Sequence, residues 1–152
     1  MKVLLTLCYV YQPPRILLGL KKRGFGKDRW NGFGGKVKSG ETLEIAAERE
    51  VMEEAGIAVS RVTKHGVVSF RFQNNSDVFE VHVFTTPKFT GQPSESEEMR
   101  PKWFEVDDLP YAEMWSSDRY WLPLLLQHKK FSGDFLFNEK DEVVDFNLQE
   151  IK

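Results

Sequence analysis

Six glycines fall within the twenty residues from Lys21 to Gly40, and this stretch runs directly into the most regular helical pattern of the chain. Gly24, Gly26, Gly32, Gly34, Gly35 and Gly40 are interleaved with Phe25, Trp30 and Phe33. A backbone freed of Cβ atoms can take unusual angles and approach a ligand closely. The stretch reads as one long loop, and a long loop inside a compact domain is usually functional.

The flanking segments have to build a scaffold for it. Val3 to Tyr11 and Arg15 to Leu20 are rich in Val, Leu, Ile and Tyr and read as paired strands around the turn Gln12-Pro13-Pro14. Thr42 to Ala55 reads as a helix, with Thr42 as N-cap, Glu44 in the first turn and Gly56 as the stop. Leu43, Ala47, Val51 and Ala55 recur every four residues as an apolar stripe. Strands are expected at Thr63–Phe72, Val78–Phe89 and Pro101–Val106, and a closing hairpin at Phe131–Asn138 and Val143–Leu148. Arg119 to Gln127 suits a second helix with Pro123 in its first turn. Mostly strands with two helices predict an α+β fold, a mixed sheet flanked by helices in an α/β/α sandwich.

The chain has 152 residues, a length suited to one domain spanning 1–152. Lys and Arg total 21 and Asp and Glu 23, so the net charge of −2 argues against a binder of nucleic acid polymers. It leaves room for a small phosphorylated partner whose charge a metal offsets. The single cysteine, Cys8, excludes an intrachain disulfide, which fits a reducing compartment, and reads as a small buried hydrophobe. The apolar N-terminus breaks at Pro13-Pro14 with no small-residue cleavage site after it, so it reads as a strand and not a targeting segment. No window approaches the roughly 18 apolar residues of a membrane span. The expectation is a soluble cytoplasmic monomer with no membrane partner, with mitochondria and the nucleus as further possible compartments.

Glu50, Glu53 and Glu54 stand at i, i+3 and i+4, on one face of the helix and offset from its apolar stripe. Like charges at this spacing cost a few tenths of a kcal/mol per pair, roughly, so a helix built only for stability would not place them there. Such a run is either a solvated acidic face or a site for a hard divalent cation. The upstream residues favour the cation. Gly35 is followed six residues later by Glu41, and eight residues further on begins Arg49-Glu50-Val51-Met52-Glu53-Glu54-Ala55-Gly56-Ile57. This resembles the Nudix hydrolase signature, G-x5-E-x7-R-E-aliphatic-x-E-E-x-G-aliphatic, at every defined position. The resemblance implies a Nudix fold and a Mg²⁺ cofactor, with Mn²⁺ able to substitute. It implies that Gly34, Glu50, Glu53, Glu54 and Glu98 serve the metal, that Arg49 orients a carboxylate, and that Glu41 braces the loop against the helix. The general base is Glu54 or Glu98.

The similarity reaches further, to the eukaryotic MutT-homologue branch of that family, which clears oxidised purine nucleoside triphosphates. It rests on Lys21 to Gly26, Trp30 to Val37, Glu95 to Pro101, Met114-Trp115 and Tyr120 to Gln127. It implies hydrolysis of a purine nucleoside triphosphate such as 8-oxo-dGTP to the monophosphate and pyrophosphate. Candidate substrate contacts are Thr6, Lys21, Phe25, Asn31, Phe70, Phe72, Phe79, Met99, Trp115, Ser117 and Asp118. Phe70, Phe72 and Trp115 also suit plain packing, and Lys21 a solvated surface. The run Trp115-Ser116-Ser117-Asp118 departs from the branch, which carries two adjacent aspartates where Ser117 and Asp118 stand. Phe79 departs too, standing where methionine is found. Other readings left open are a methylated purine nucleotide, a dinucleoside polyphosphate or ADP-ribose as substrate, and a Nudix module that binds without turnover.

Overall fold

The computed structural model describes residues 1–152. Nine strands form one mixed sheet: β1 Lys2–Gln12, β2 Arg15–Lys21, β3 Trp30–Asn31, β4 Phe33–Lys36, β5 Thr63–Phe72, β6 Val78–Thr86, β7 Met99–Glu105, β8 Lys130–Phe137 and β9 Val143–Ile151. The main path runs β3-β2-β1-β6-β5-β8-β9, with β4 on β1 and β7 on β2. β1·β6 and β5·β8 are parallel and the other pairs antiparallel. Two helices, α1 Leu43–Ala55 and α2 Asp118–Leu126, cover opposite faces. Neither is long and apolar enough to cross a membrane.

β1 shows why both faces must be covered. Its residues are apolar in both registers: Leu7, Tyr9 and Tyr11 join Trp121, Leu122 and Leu125 of α2, while Cys8 and Val10 join Ala47, Val51 and Ala55 of α1. A strand buried on both sides reads as a continuous apolar run, with no alternation. Helix α1 begins and ends as its sequence dictates. Thr42 Oγ1 accepts the Ile45 N–H at 3.1 Å, and Gly56 closes the helix in the left-handed region at φ 70°.

Four expectations need correction. The glycine stretch is not one loop, because β3 and β4 lie within it. β1 and β2 pair only from Val10 to Leu17 and then diverge, and the 30–36 segment fills the gap, β3 on β2 and β4 on β1. β6 ends at Thr86, since Pro87 has no N–H to continue the ladder. β7 begins two residues earlier than expected, at Met99. Pro123 lies past the first turn of α2, because the helix starts at Asp118. The carbonyl it leaves unbonded is that of exposed Arg119, where water can satisfy it.

Candidate active site

The 30–36 segment brings β4 against the C-terminal half of α1. Gly34 is forced by contact with β1: a Cβ there would stand 1.8 Å from the Thr6 carbonyl oxygen. At Gly35 a Cβ would stand 2.7 Å from Glu50 Oε1. The absence of both side chains lets the acidic face of α1 close on the sheet. The Gly34 N–H then donates to Glu54 Oε1 at 2.9 Å.

Arg49 organises the remaining carboxylates. Its guanidinium grips Glu41 at 2.6 and 3.0 Å, donates to Glu50 at 2.9 Å and to Glu53 at 3.2 Å, and reaches the Lys36 carbonyl at 3.1 Å. Glu41 also accepts the Lys38 N–H at 2.8 Å, so it ties the loop to the helix. Arg49, and then the Lys38 N–H, hold the Glu41 carboxyl down at about 2. Glu98, on the loop before β7, accepts from Lys21 Nζ at 3.1 Å and Arg23 Nε at 2.8 Å, and these cations lower its pKa.

Glu54 behaves differently. It is 4% exposed, and burial pushes its carboxyl up to about 8; the Gly34 N–H opposes this, and the charges of Glu50 and Glu98 add to it. Its second oxygen accepts nothing from the protein. No three acidic, histidine or cysteine side chains converge on one cation position, because Arg49 occupies Glu50 and Glu53 while Lys21 and Arg23 occupy Glu98. The donor chemistry nevertheless suits a hard divalent cation. Oxygen donors of like charge crowd a buried carboxyl that a cation would return to its ionised form.

Beside Glu54 opens a cavity of about 420 Å³, within the range of small-molecule sites. Thr6, Lys21, Phe25, Asn31, Gly34, Glu54, Phe70, Phe72, Phe79, Met99, Trp115 and Asp118 all line it. Phe25 stands 5.1 Å from Trp115 and is 69% exposed at the mouth, while Phe72 stacks on Phe137 at 5.1 Å. Phe70 and Phe72 both face the cavity, half-buried, so neither is core alone. The polar floor is short of partners. Thr6 Oγ1 and Asp118 Oδ2 are buried with no hydrogen bond, as a ligand-satisfied site requires. Burial pushes Asp118 up to about 8, opposed partway by the neighbouring Trp121 indole, which lies short of a hydrogen bond, and by the charge of Arg29.

Glu50, Glu53, Arg49 and Glu98 stand outside the cavity lining, at its acidic rim. Ser117 departs from the expected substrate contact: it is wholly buried, is absent from the lining, and its hydroxyl has no partner. It is the N-terminal boundary residue of α2, so the helix turns Asp118 into the cavity and Ser117 into the protein. Sequence reasoning missed Arg29, Phe137 and Trp121. Arg29 covers the Trp115 ring at 4.2 Å and pairs with Asp141 at 3.1 Å, a contact across 112 residues that no local pattern announces. Phe137 was detectable from the in–out alternation of β8, which continues to its last residue.

The family model described as the NUDIX domain matches residues 1–125. The oxidized purine nucleoside triphosphate hydrolase of Mus musculus is 51% identical over 148 residues, covering 97% of this chain and 95% of the mouse protein. The protein of the same name from Danio rerio is 49% identical over 149 residues, covering 98% and 96%. Among solved structures, a Bacillus halodurans MutT protein superposes with TM-score 0.87 at 24% identity over 97% of both chains, a likeness of fold. A Burkholderia pseudomallei MutT NUDIX hydrolase superposes with TM-score 0.68 at 32% identity, covering 72% of this chain and 88% of that one.

Proposed function

The chain belongs to the NUDIX family, and on that premise we propose that it hydrolyses oxidised purine nucleoside triphosphates, such as 8-oxo-dGTP, to the monophosphate and pyrophosphate. One observation carries this reading: Glu54 lines the same cavity as Phe72, Trp115, Asn31 and Asp118. The aromatic rings offer flat apolar faces to a purine, and the amide and acid offer hydrogen bonds to its edge. The acidic rim lies at the other end, where a phosphate chain would emerge. The substrate named for the mouse and zebrafish relatives has this composition.

In this account Glu50, Glu53 and Glu54, with the Gly34 backbone, hold the divalent cation, Mg²⁺ by preference and Mn²⁺ in its place. Bound there, the cation neutralises phosphate charge and lowers the pKa of an attacking water. Arg49 keeps the carboxylates aligned through its bonds to Glu50 and Glu53. Lys21, at the junction of cavity and rim, pairs with the phosphates. Glu98, held ionised by Lys21 and Arg23, is a weak base that anchors them. Glu54 lines the cavity and keeps one oxygen free of protein donors, and we assign it the proton of the attacking water. Asp118 is protonated at neutral pH and donates to the purine edge.

The test is product analysis by chromatography with 8-oxo-dGTP, with Mg²⁺ and with excess chelator. The proposal expects pyrophosphate and 8-oxo-dGMP only with metal. Release of inorganic phosphate and 8-oxo-dGDP, or turnover unaffected by chelation, would refute it.

A further inference from the structure

Asn31 has its amide fixed by a residue outside the cavity. Tyr9, on β1, is wholly buried and absent from the cavity lining. Its hydroxyl donates to Asn31 Oδ1 at 3.1 Å, and the Gly32 N–H donates to the same oxygen at 2.8 Å. The tyrosine ring is held independently of that hydroxyl. It meets Trp121 edge to face at 6.1 Å, and a Cβ at Gly32 would fall 2.9 Å from its Cε1 and Cζ, so no larger residue fits beside it.

A side-chain amide has two ends of nearly equal size and opposite hydrogen-bonding character. The Gly32 N–H can only donate, and the buried Tyr9 hydroxyl has no other acceptor for its proton, so the oxygen belongs at this end. A flipped amide would set N–H against N–H at Gly32 and leave the Tyr9 proton unpaired. The oxygen is thereby used up. Asn31 Nδ2 bonds to nothing in the protein, and Asn31 lines the cavity. The cavity therefore receives from Asn31 a donor and no acceptor.

We propose that Tyr9 is a positioning residue for specificity: it locks the Asn31 amide as a hydrogen-bond donor, so the pocket favours a purine edge bearing a carbonyl oxygen over one bearing an amino group. This rests on the purine triphosphate reading. An amino group opposite Asn31 would leave two donors facing each other, which is unfavourable for both.

The test compares 8-oxo-dGTP, with a carbonyl at C6, and 8-oxo-dATP, with an amino group there, on wild type, Tyr9→Phe, Asn31→Ala and the double variant. Tyr9→Phe keeps the ring and removes one of the two donors that fix the amide. The ratio of kcat/KM for the two substrates, measured on one preparation, does not depend on the fraction folded. It is expected to fall by about three- to tenfold in Tyr9→Phe, the span one hydrogen bond supports. In the Asn31→Ala background the same change is expected to leave the ratio where it was. An unchanged ratio in Tyr9→Phe, or an equal fall in both backgrounds, overturns the proposal.

A second readout needs no turnover. In the ligand-free protein the Asn31 side-chain carbonyl carbon should shift upfield in NMR spectra of Tyr9→Phe as it loses a donor; an unmoved resonance removes the lock. If wild type cleaves neither substrate, the purine reading fails, and the carbonyl resonance still judges the Tyr9–Asn31 lock.

Discussion

Glu54 accepts a hydrogen bond from the backbone N–H of Gly34 at 2.9 Å, joining a helix carboxylate to a strand twenty residues earlier. Through this contact a buried acid sits at the junction of the acidic rim and the aromatic cavity. Glutamine can accept the same bond but can neither take a proton nor carry a ligating charge. Glu54→Gln is expected to lower kcat by about 10²–10⁴-fold, while its Tm stays equal to or above that of wild type. Near-normal kcat in a folded variant would remove Glu54 from the chemistry.

Arg49 bridges Glu41, Glu50 and Glu53 with a planar fork that lysine cannot reproduce. Arg49→Lys should keep the charge yet release Glu41 and misalign the carboxylates. The expected result is a drop in kcat/KM of roughly tenfold or more, with a higher Mg²⁺ concentration needed for half-maximal rate. Mg²⁺ titrations of both proteins check this.

Asp118 is 2% exposed, with its carboxyl raised from 3.8 to about 8. Between those values the folded chain keeps a proton that the unfolded chain has released. Stability contributed by this group is therefore present at low pH and lost as pH rises through about 8. The same deprotonation removes the donor to the base. Asp118→Asn, a donor at every pH, should flatten both the fall of Tm between pH 5 and 8 and the alkaline fall of kcat/KM. Thermal melts and pH–rate profiles of the two proteins test it.

Ser117 carries a buried hydroxyl with no partner and lies outside the cavity lining. Ser117→Ala removes an unsatisfied group, so stability should hold or rise by up to about 1 kcal/mol. The preference among oxidised purines should not change. A shift of that preference by more than about threefold would place Ser117 in base recognition.

Much of this architecture was legible in the chain, for reasons that differ between elements. Helix α1 was plain because its cap Thr42, its stop Gly56 and its apolar stripe are all local signals. The acidic run and the Gly35–Glu41–Arg49 spacing located the rim, and the structure turns that spacing into direct contacts at Gly35 and Glu41. The two short strands in the glycine stretch were hidden because their pairing depends on β1 and β2 diverging, a tertiary event. Long-range contacts were hidden for the same reason. Arg29 reaches Asp141, and Tyr9 reaches Asn31, only after the sheet has assembled. Ser117 and Asp118 are neighbours in sequence, yet the first turn of α2 separates their environments.

The central claim is that one cavity joins a metal-dependent phosphate centre to a pocket for an oxidised purine. The most direct measurement is kcat/KM for pyrophosphate release from 8-oxo-dGTP and from dGTP, with Mg²⁺, on one preparation. The account predicts a value at least about tenfold higher for 8-oxo-dGTP, a margin of roughly 1.4 kcal/mol in the transition state. Equal values for the two substrates would contradict it.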